Sequence, residues 1–293
     1  MDISEFTFKH LQLPSPIQEI VEEEWKEKNI HVFIKRDDLI HPIISGNKWR
    51  KLKEYIDFAQ NNEPNSIISF GGAYSNHLYA LAFIGFHFNI KTIGIVRGNE
   101  LTINSNPYLK QISDWGMKLY FQDRESYRKK TIPIEIEIET ENVIIIPEGG
   151  FSQVGVLGLK SLISELKNQI NPDFIVTAVG TGTTAIGICQ YAKIKTIGIL
   201  TLNNLTEIET NSQGFDLDNL LEINTNYIFG KYAKDSNILN EFCENFYKKH
   251  KILIEPTYTG RMFYGLYDLI KRNYFTENSN IIALHSGGIK LSH

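Results

Sequence analysis

The stretch DFIVTAVGTGTTAIGI, Asp173–Ile188, passes from a continuously apolar segment through Gly180-Thr181-Gly182-Thr183-Thr184 into small residues. The apolar run does not alternate, as expected of a parallel strand covered on both faces. A strand, a tight loop and a helix are therefore predicted. At such a helix start, backbone N–H groups and threonine hydroxyls converge on the positive end of the dipole, which suits a phosphate. Gly180, Gly182 and Ala185 also fit the dinucleotide pattern G-x-G-x-x-A. That pattern calls for an acid about 20 positions on, where it binds the ribose. Here the next apolar run ends KTIGILTLNN, and no acid comes before Glu207. A phosphate monoester fits this loop better than NAD does.

Similar apolar runs recur along the chain: HVFIK, SIISF, KTIGIV, VIIIP, KTIGIL and IIALH. Between most of them lie segments of helical period, such as NKWRKLKEYIDFAQ and VGVLGLKSLISELKNQI. Alternation of this kind predicts an α/β architecture. IPIEIEIETE, Ile132–Glu141, alternates with period two and predicts a strand with one wet face. The glycine pair after Glu148 marks a plausible boundary between two α/β runs.

The chain has 293 residues, 42% hydrophobic and 22% charged, with a net charge of −4. That balance gives no global field toward nucleic acid. Cys189 and Cys243 show neither C-x-x-C nor metal-ligand spacing, so no disulfide framework and no metal is expected. MDISEFTFKH is mixed polar and acidic, and no run is long and apolar enough for a bilayer. The expectation is a cytoplasmic protein with neither nucleic acid nor membrane as partner.

Four further stretches carry polar groups at strand or helix ends. In SGNKWRKLKEY, Ser45–Tyr55, the stripe Trp49, Leu52, Ile56 and Ala59 predicts an amphipathic helix capped by Asn47. Arg50, Lys51 and Lys53 fall off that stripe and read as a solvated face. Lys48 sits in the first turn, where the dipole disfavours a cation and favours the free amine that condensation with a carbonyl requires. The plainer reading is one more basic surface residue. SIISFGGAYSNHLYALA reads as a strand, a Gly71-Gly72 turn and a helix from about Ser75, with Ser75, Asn76 and His77 at an anion-binding end or at an ordinary capped junction. EPTYTGRMFYGL puts Tyr258 and Thr259 before a helix, IIALHSGG ends a strand at Ser286, and YIFGKYAK contains Tyr232. Taken singly, each of these three reads as structural.

Together, KRDDL, SGNKWRKLKEY, FGGAYSNH, IPEGG, GTGTTAIGI, EPTYTG and HSGG resemble the fold-type II pyridoxal-phosphate enzymes. Within that group they resemble the branch of 1-aminocyclopropane-1-carboxylate (ACC) deaminase and D-cysteine desulfhydrase. The resemblance implies two open, twisted α/β domains of the tryptophan synthase beta-like kind, with the cofactor between them. The larger, cofactor-binding domain would span 1–48 plus 151–293, and the smaller 49–150, in a homodimer.

By the same resemblance, Lys48 is the lysine that holds pyridoxal 5'-phosphate, and Lys51 and Lys53 are surface residues. Asn76 bonds the cofactor's ring hydroxyl. Thr181, Gly182, Thr183 and Thr184 form the phosphate cup, and Ser286 approaches the pyridine nitrogen. Ser75, Asn76 and His77 receive the substrate carboxylate, Tyr258 and Ser75 are catalytic, and Tyr232 is a second active-site tyrosine. Thr259, on the substrate side, stands where the family's ACC deaminases carry a glutamate. A hydroxyl holds a pyridinium less well than a carboxylate does. The expected reaction is β-elimination of D-cysteine, or a related small amino acid, to pyruvate, ammonia and hydrogen sulfide. ACC deamination to 2-oxobutanoate is the alternative, and a catalytically silent cofactor-binding protein a further one.

Overall fold

The computed structural model describes residues 2–62, 64, 66–137, 142–229 and 237–288, which fall into two compact units with one sheet each. The strands are β1 (Ile17–Ile20), β2 (His31–Lys35), β3 (Ser66–Gly71), β4 (Thr92–Arg97), β5 (Lys118–Gln122), β6 (Val143–Ile146), β7 (Phe174–Val179), β8 (Lys195–Leu200), β9 (Leu221–Asn224) and β10 (Asn280–Leu284).

The first unit comprises Met1–Leu11, His41–Ile44 and Lys48–Gly158. Its sheet has the order β5-β4-β3-β6 and is parallel throughout. Every residue of β3 is buried, as are the first five of β4, which accounts for apolar runs without alternation. The stripe of the helix Asn47–Asn62 is buried, with Leu52 and Ile56 wholly so. The resemblance groups residues 1–48 with the larger domain. In the structure the helix Ile3–His10 lies in the first unit, where Phe6 packs 5.7 Å from the Trp49 ring and 5.1 Å from Phe88.

Over its described residues, 132–137, IPIEIEIETE does not form the strand its period predicts. Ile134–Glu137 is a single helical turn, opened by Pro133, whose carbonyl accepts from Ile136 N at 2.9 Å. Ile132 and Ile136, four apart, pack on Ile68, Phe70 and Tyr127, while Ile134 is 67% exposed. Residues 138–141 of that stretch lie outside the described residues.

The second unit comprises Gln12–Ile40, Ser45–Asn47 and Leu159–His293. Its sheet has the order β1-β2-β10-β7-β8-β9, antiparallel only between β1 and β2. The helix Thr259–Lys271 buries Met262, Phe263 and Leu266 in one core cluster, and the helix Lys160–Gln169 buries Leu162 and Leu166 in another. VGVLGLKSLISELKNQI, the segment of helical period, is two helices, Gln153–Leu157 and Lys160–Gln169, parted at Gly158. A Cβ on Gly158 would lie 1.9 Å from the Arg50 carbonyl oxygen, so backbone meets backbone there.

Three histidines surround Phe6 in the first unit: His10, His41 and His87, with ring centroids 5.1, 6.3 and 5.3 Å from it. His41 Nδ1 accepts from Ile43 N at 3.0 Å and Ile44 N at 3.3 Å, which fixes the neutral form. Burial, then the charges of His87 and His10, lower His41 from 6.5 to about 4. Because the folded value is depressed, the stabilisation is complete above pH 6.5 and is lost as pH falls toward 4. The urea midpoint should therefore fall across that interval. His41→Asn keeps a side-chain acceptor and should flatten the fall. Identical acid profiles for the two proteins would remove His41 from the account.

Candidate active site

The loops that follow β2 and β10 in the second unit meet at Gly46. Gly46 N donates to the Asp37 carbonyl at 2.7 Å, and Asn47 N to the Ser286 carbonyl at 3.2 Å. Gly46 has φ +64°, and a Cβ there would fall 1.9 Å from the Ser286 oxygen. Gly287, at φ +73°, faces Ser45 in the same way, its Cβ position 2.6 Å from Ser45 Oγ. KRDDL supports this junction from below. Lys35 is wholly buried and its Nζ donates to the Ser15 carbonyl, Glu165 and Gln169, while Ser15 Oγ donates to Asp37 at 2.5 Å. Ser286 is 7% exposed, and its hydroxyl makes no hydrogen bond among the described residues.

β7 runs into Gly180-Thr181-Gly182, and the helix Thr183–Ala192 starts from Gly182 at φ +89° with no side-chain cap. The loop carbonyls are turned back and occupied. Gly180 O accepts from Asn204 Nδ2 at 3.0 Å and Thr181 O from Asn211 Nδ2 at 3.2 Å. The N–H groups of the first helical turn are thereby left for an anion. The hydroxyls of Thr181 and Thr183 lie 3.2 Å apart, and Thr184 Oγ1 accepts from Asn47 Nδ2 at 3.0 Å. Asn47, the residue before Lys48, is thus tied to this helix start. The Tyr258 ring edge packs against the loop, Cε1 being 3.3 Å from the Cβ position of Gly180. Thr259 is wholly buried, and its hydroxyl accepts from Glu255 N at 3.0 Å.

In the first unit Lys48 is half-buried at the start of its helix. The solvated face read for Arg50 and Lys51 is not there: they are 1% and 5% exposed. Glycines at 149, 150 and 158 let neighbouring backbone close over this first turn, and Lys51 Nζ donates to the Gly149 carbonyl at 3.0 Å. Burial, then the Lys48 charge, hold the Lys51 amine well below its usual range. Lys53 keeps a third of its side chain exposed.

Ser75 caps the helix Asn76–Phe88, accepting from Leu78 N at 3.2 Å. His77 points inward. Ser69 Oγ donates to the Ile146 carbonyl at 2.8 Å, so His77 Nε2 donates to Ser69 at 3.0 Å and Nδ1 carries the lone pair. Burial, then Lys51 and Lys48, hold His77 at about 3. The expectation of His77 at a substrate carboxylate meets a buried, neutral ring instead. Tyr232 lies outside the described residues.

The pyridoxal-phosphate dependent enzyme family matches residues 10–287. The chain belongs to that family. A Pyrococcus horikoshii protein, provisionally named a 1-aminocyclopropane-1-carboxylate deaminase, is 28% identical over 90% of this chain and 86% of its own length. A mitochondrial Arabidopsis thaliana protein named as a bifunctional D-cysteine desulfhydrase and ACC deaminase is 26% identical, covering 97% of this chain and 78% of its own. The crystal structure of an ACC deaminase homologue superimposes with a TM-score of 0.78 at 25% identity, over 99% of this chain and 96% of that one. The protein is a fold-type II pyridoxal-phosphate-dependent enzyme. Its uncapped helix start at Gly182, with two buried threonines, fits the cofactor's phosphate. Among the described residues no group of His, Cys, Asp and Glu could hold a metal ion, and no helix is long and apolar enough to cross a membrane.

Lys51, Glu255 and the two carbonyl-binding asparagines escape a reading by motif. Lys51 has a faint signal, since it lies one helical turn after Lys48. At the Gly46 junction the prediction is steric. Gly46→Ala should cost about 3 kcal/mol or more, combining backbone strain with overpacking. Gly214→Ala, where no atom lies within 4 Å, should be nearly neutral in the same denaturation experiment.

Proposed function

We propose that this enzyme is a lyase of the D-cysteine desulfhydrase type, a homodimer of the cytoplasm acting on D-cysteine or a related small amino acid. The observation that carries the reading is the commitment of the Thr259 hydroxyl to Glu255, which leaves Ser286 as the polar group offered to the pyridine nitrogen. A neutral hydroxyl cannot hold a ring proton as a carboxylate does.

Bound pyridoxal phosphate supplies an electron sink for bonds at the substrate Cα. The N–H groups and hydroxyls of residues 181–184 would hold its phosphate, and Asn76 would bond its ring hydroxyl. Ser75 and the N–H groups behind it take the substrate carboxylate and fix the Cα–H bond. The Lys48 amine then takes the Cα proton, with Lys51 opposing a second positive charge beside it. The electron pair of the Cα–H bond forms a Cα=Cβ double bond, and the β-thiolate leaves with the pair of the broken Cβ–S bond. Addition of one water gives pyruvate, ammonia and hydrogen sulfide from D-cysteine. A thiolate is a good leaving group and tolerates the weaker sink that Ser286 provides.

ACC deamination is the second reading, favoured by the names of the Arabidopsis relative and the solved homologue. ACC has no Cα proton, so Tyr258 or Ser75 would have to open the ring.

The test is keto-acid release from D-cysteine and from ACC, offered separately, with the product identified by mass. Pyruvate from D-cysteine is expected, falling at least about 100-fold in Lys48→Ala. 2-Oxobutanoate from ACC with none from D-cysteine would overturn the proposal.

A further inference from the structure

The carboxylate of Glu255 faces the turn that carries Tyr258. Oε2 accepts from Thr257 N at 2.7 Å, and Oε1 from Tyr258 N at 2.8 Å and Thr259 N at 2.9 Å. The turn reciprocates: Glu255 N donates to Thr259 Oγ1 at 3.0 Å, and Gly260 N to the Glu255 carbonyl at 2.7 Å. Tyr258 sits between these bonds at φ −122°, ψ −70°, so the lock, and not a helical backbone, sets its direction. Its ring is thereby laid against Gly180 of the phosphate cup.

We infer that Glu255, through its reciprocal lock with Thr259, is a positioning residue that aims Tyr258 at the cofactor. This rests on the cofactor site described under Proposed function. Three N–H groups converge on the two oxygens of one side chain, and a carboxylate offers an acceptor at each. Burial raises the Glu255 pKa, and the bonds from Thr259, Tyr258 and Thr257 oppose that rise. The amide of Glu255→Gln would turn an NH2 toward at least one donor. The loop has a second anchor in Arg261, which is 1% exposed and donates from Nη1 to the Thr201 carbonyl at 2.5 Å. Glu255→Gln should therefore fold with its phosphate cup intact.

The lock also gives position 259 a role of its own. The Thr259 hydroxyl fastens the turn, so a substitution there acts first on Tyr258 and only through it on the chemistry.

The experiment uses the full chain loaded with pyridoxal phosphate. Glu255→Gln should lower kcat for keto-acid release about 100-fold, the cost of a misplaced group. Its Kd for pyridoxal phosphate, read by absorbance, should stay near that of the unaltered protein. The visible circular dichroism of the bound cofactor should move toward that of Tyr258→Ala. Thr259→Val should behave like Glu255→Gln, and Thr259→Ser like the unaltered protein. An unchanged kcat and dichroism in Glu255→Gln would overturn the inference. So would a parallel loss of Tm and cofactor affinity, which would make Glu255 a support of the fold alone. If the unaltered protein released no keto acid, the proposed reaction would fail, while the dichroism series would still decide the role of Glu255.

Discussion

The main chain at Gly46 passes directly over the carbonyl of Ser286, so closely that a single Cβ would collide with it at 1.9 Å. Gly46 reaches back to Asp37, whose side chain is held by Ser15 above the buried Lys35. Asn47, one residue on, spends its backbone N–H on Ser286 and its side-chain amide on Thr184 at the helix start after β7. The residue after Asn47 is Lys48. Backbone packing between two glycine-bearing loops thus sets where the helix that carries Lys48 begins.

Around Lys48 the electrostatics follow from burial. Lys51 lies one turn further along the same helix, closed in by glycine-rich backbone, with the Gly149 carbonyl as acceptor. Two ammonium groups in one buried turn repel, and the dipole at a helix start adds to the penalty. His77 responds to the same pair and stays neutral, its proton fixed on Nε2 by the Ser69 to Ile146 chain. The result is a buried turn in which Lys51 and His77 are both disfavoured as cations.

The strands buried on both faces were legible because parallel strands need unbroken apolar runs, as SIISF and FIVTAV supply. β1, β5 and β9 were not: IQEI, KLYFQ and LEIN lie at sheet edges, are mostly half-buried, and carry mixed polarity. IPIEIEIETE misled because isoleucines at every second position also stand four apart, and Pro133 selects the helical turn. The strand, tight turn and uncapped helix start around Gly182 were legible from glycine and threonine spacing. The burial of Lys51 was not, because it depends on glycines about 100 positions away in the chain. Glu255 was hidden for a related reason, since its importance lies in backbone bonds that no motif records.

The measurement that bears most directly on this account is to fix pyridoxal phosphate to its lysine with borohydride, digest the protein, and locate the modified residue by mass spectrometry. Lys48 is half-buried and Lys51 buried within one helical turn, so the experiment distinguishes two neighbouring amines. The account requires the label on Lys48 with Lys51 unmodified. A label on Lys51 would contradict it, and the roles given to Gly46, Asn47 and the buried amine pair would have to be reassigned.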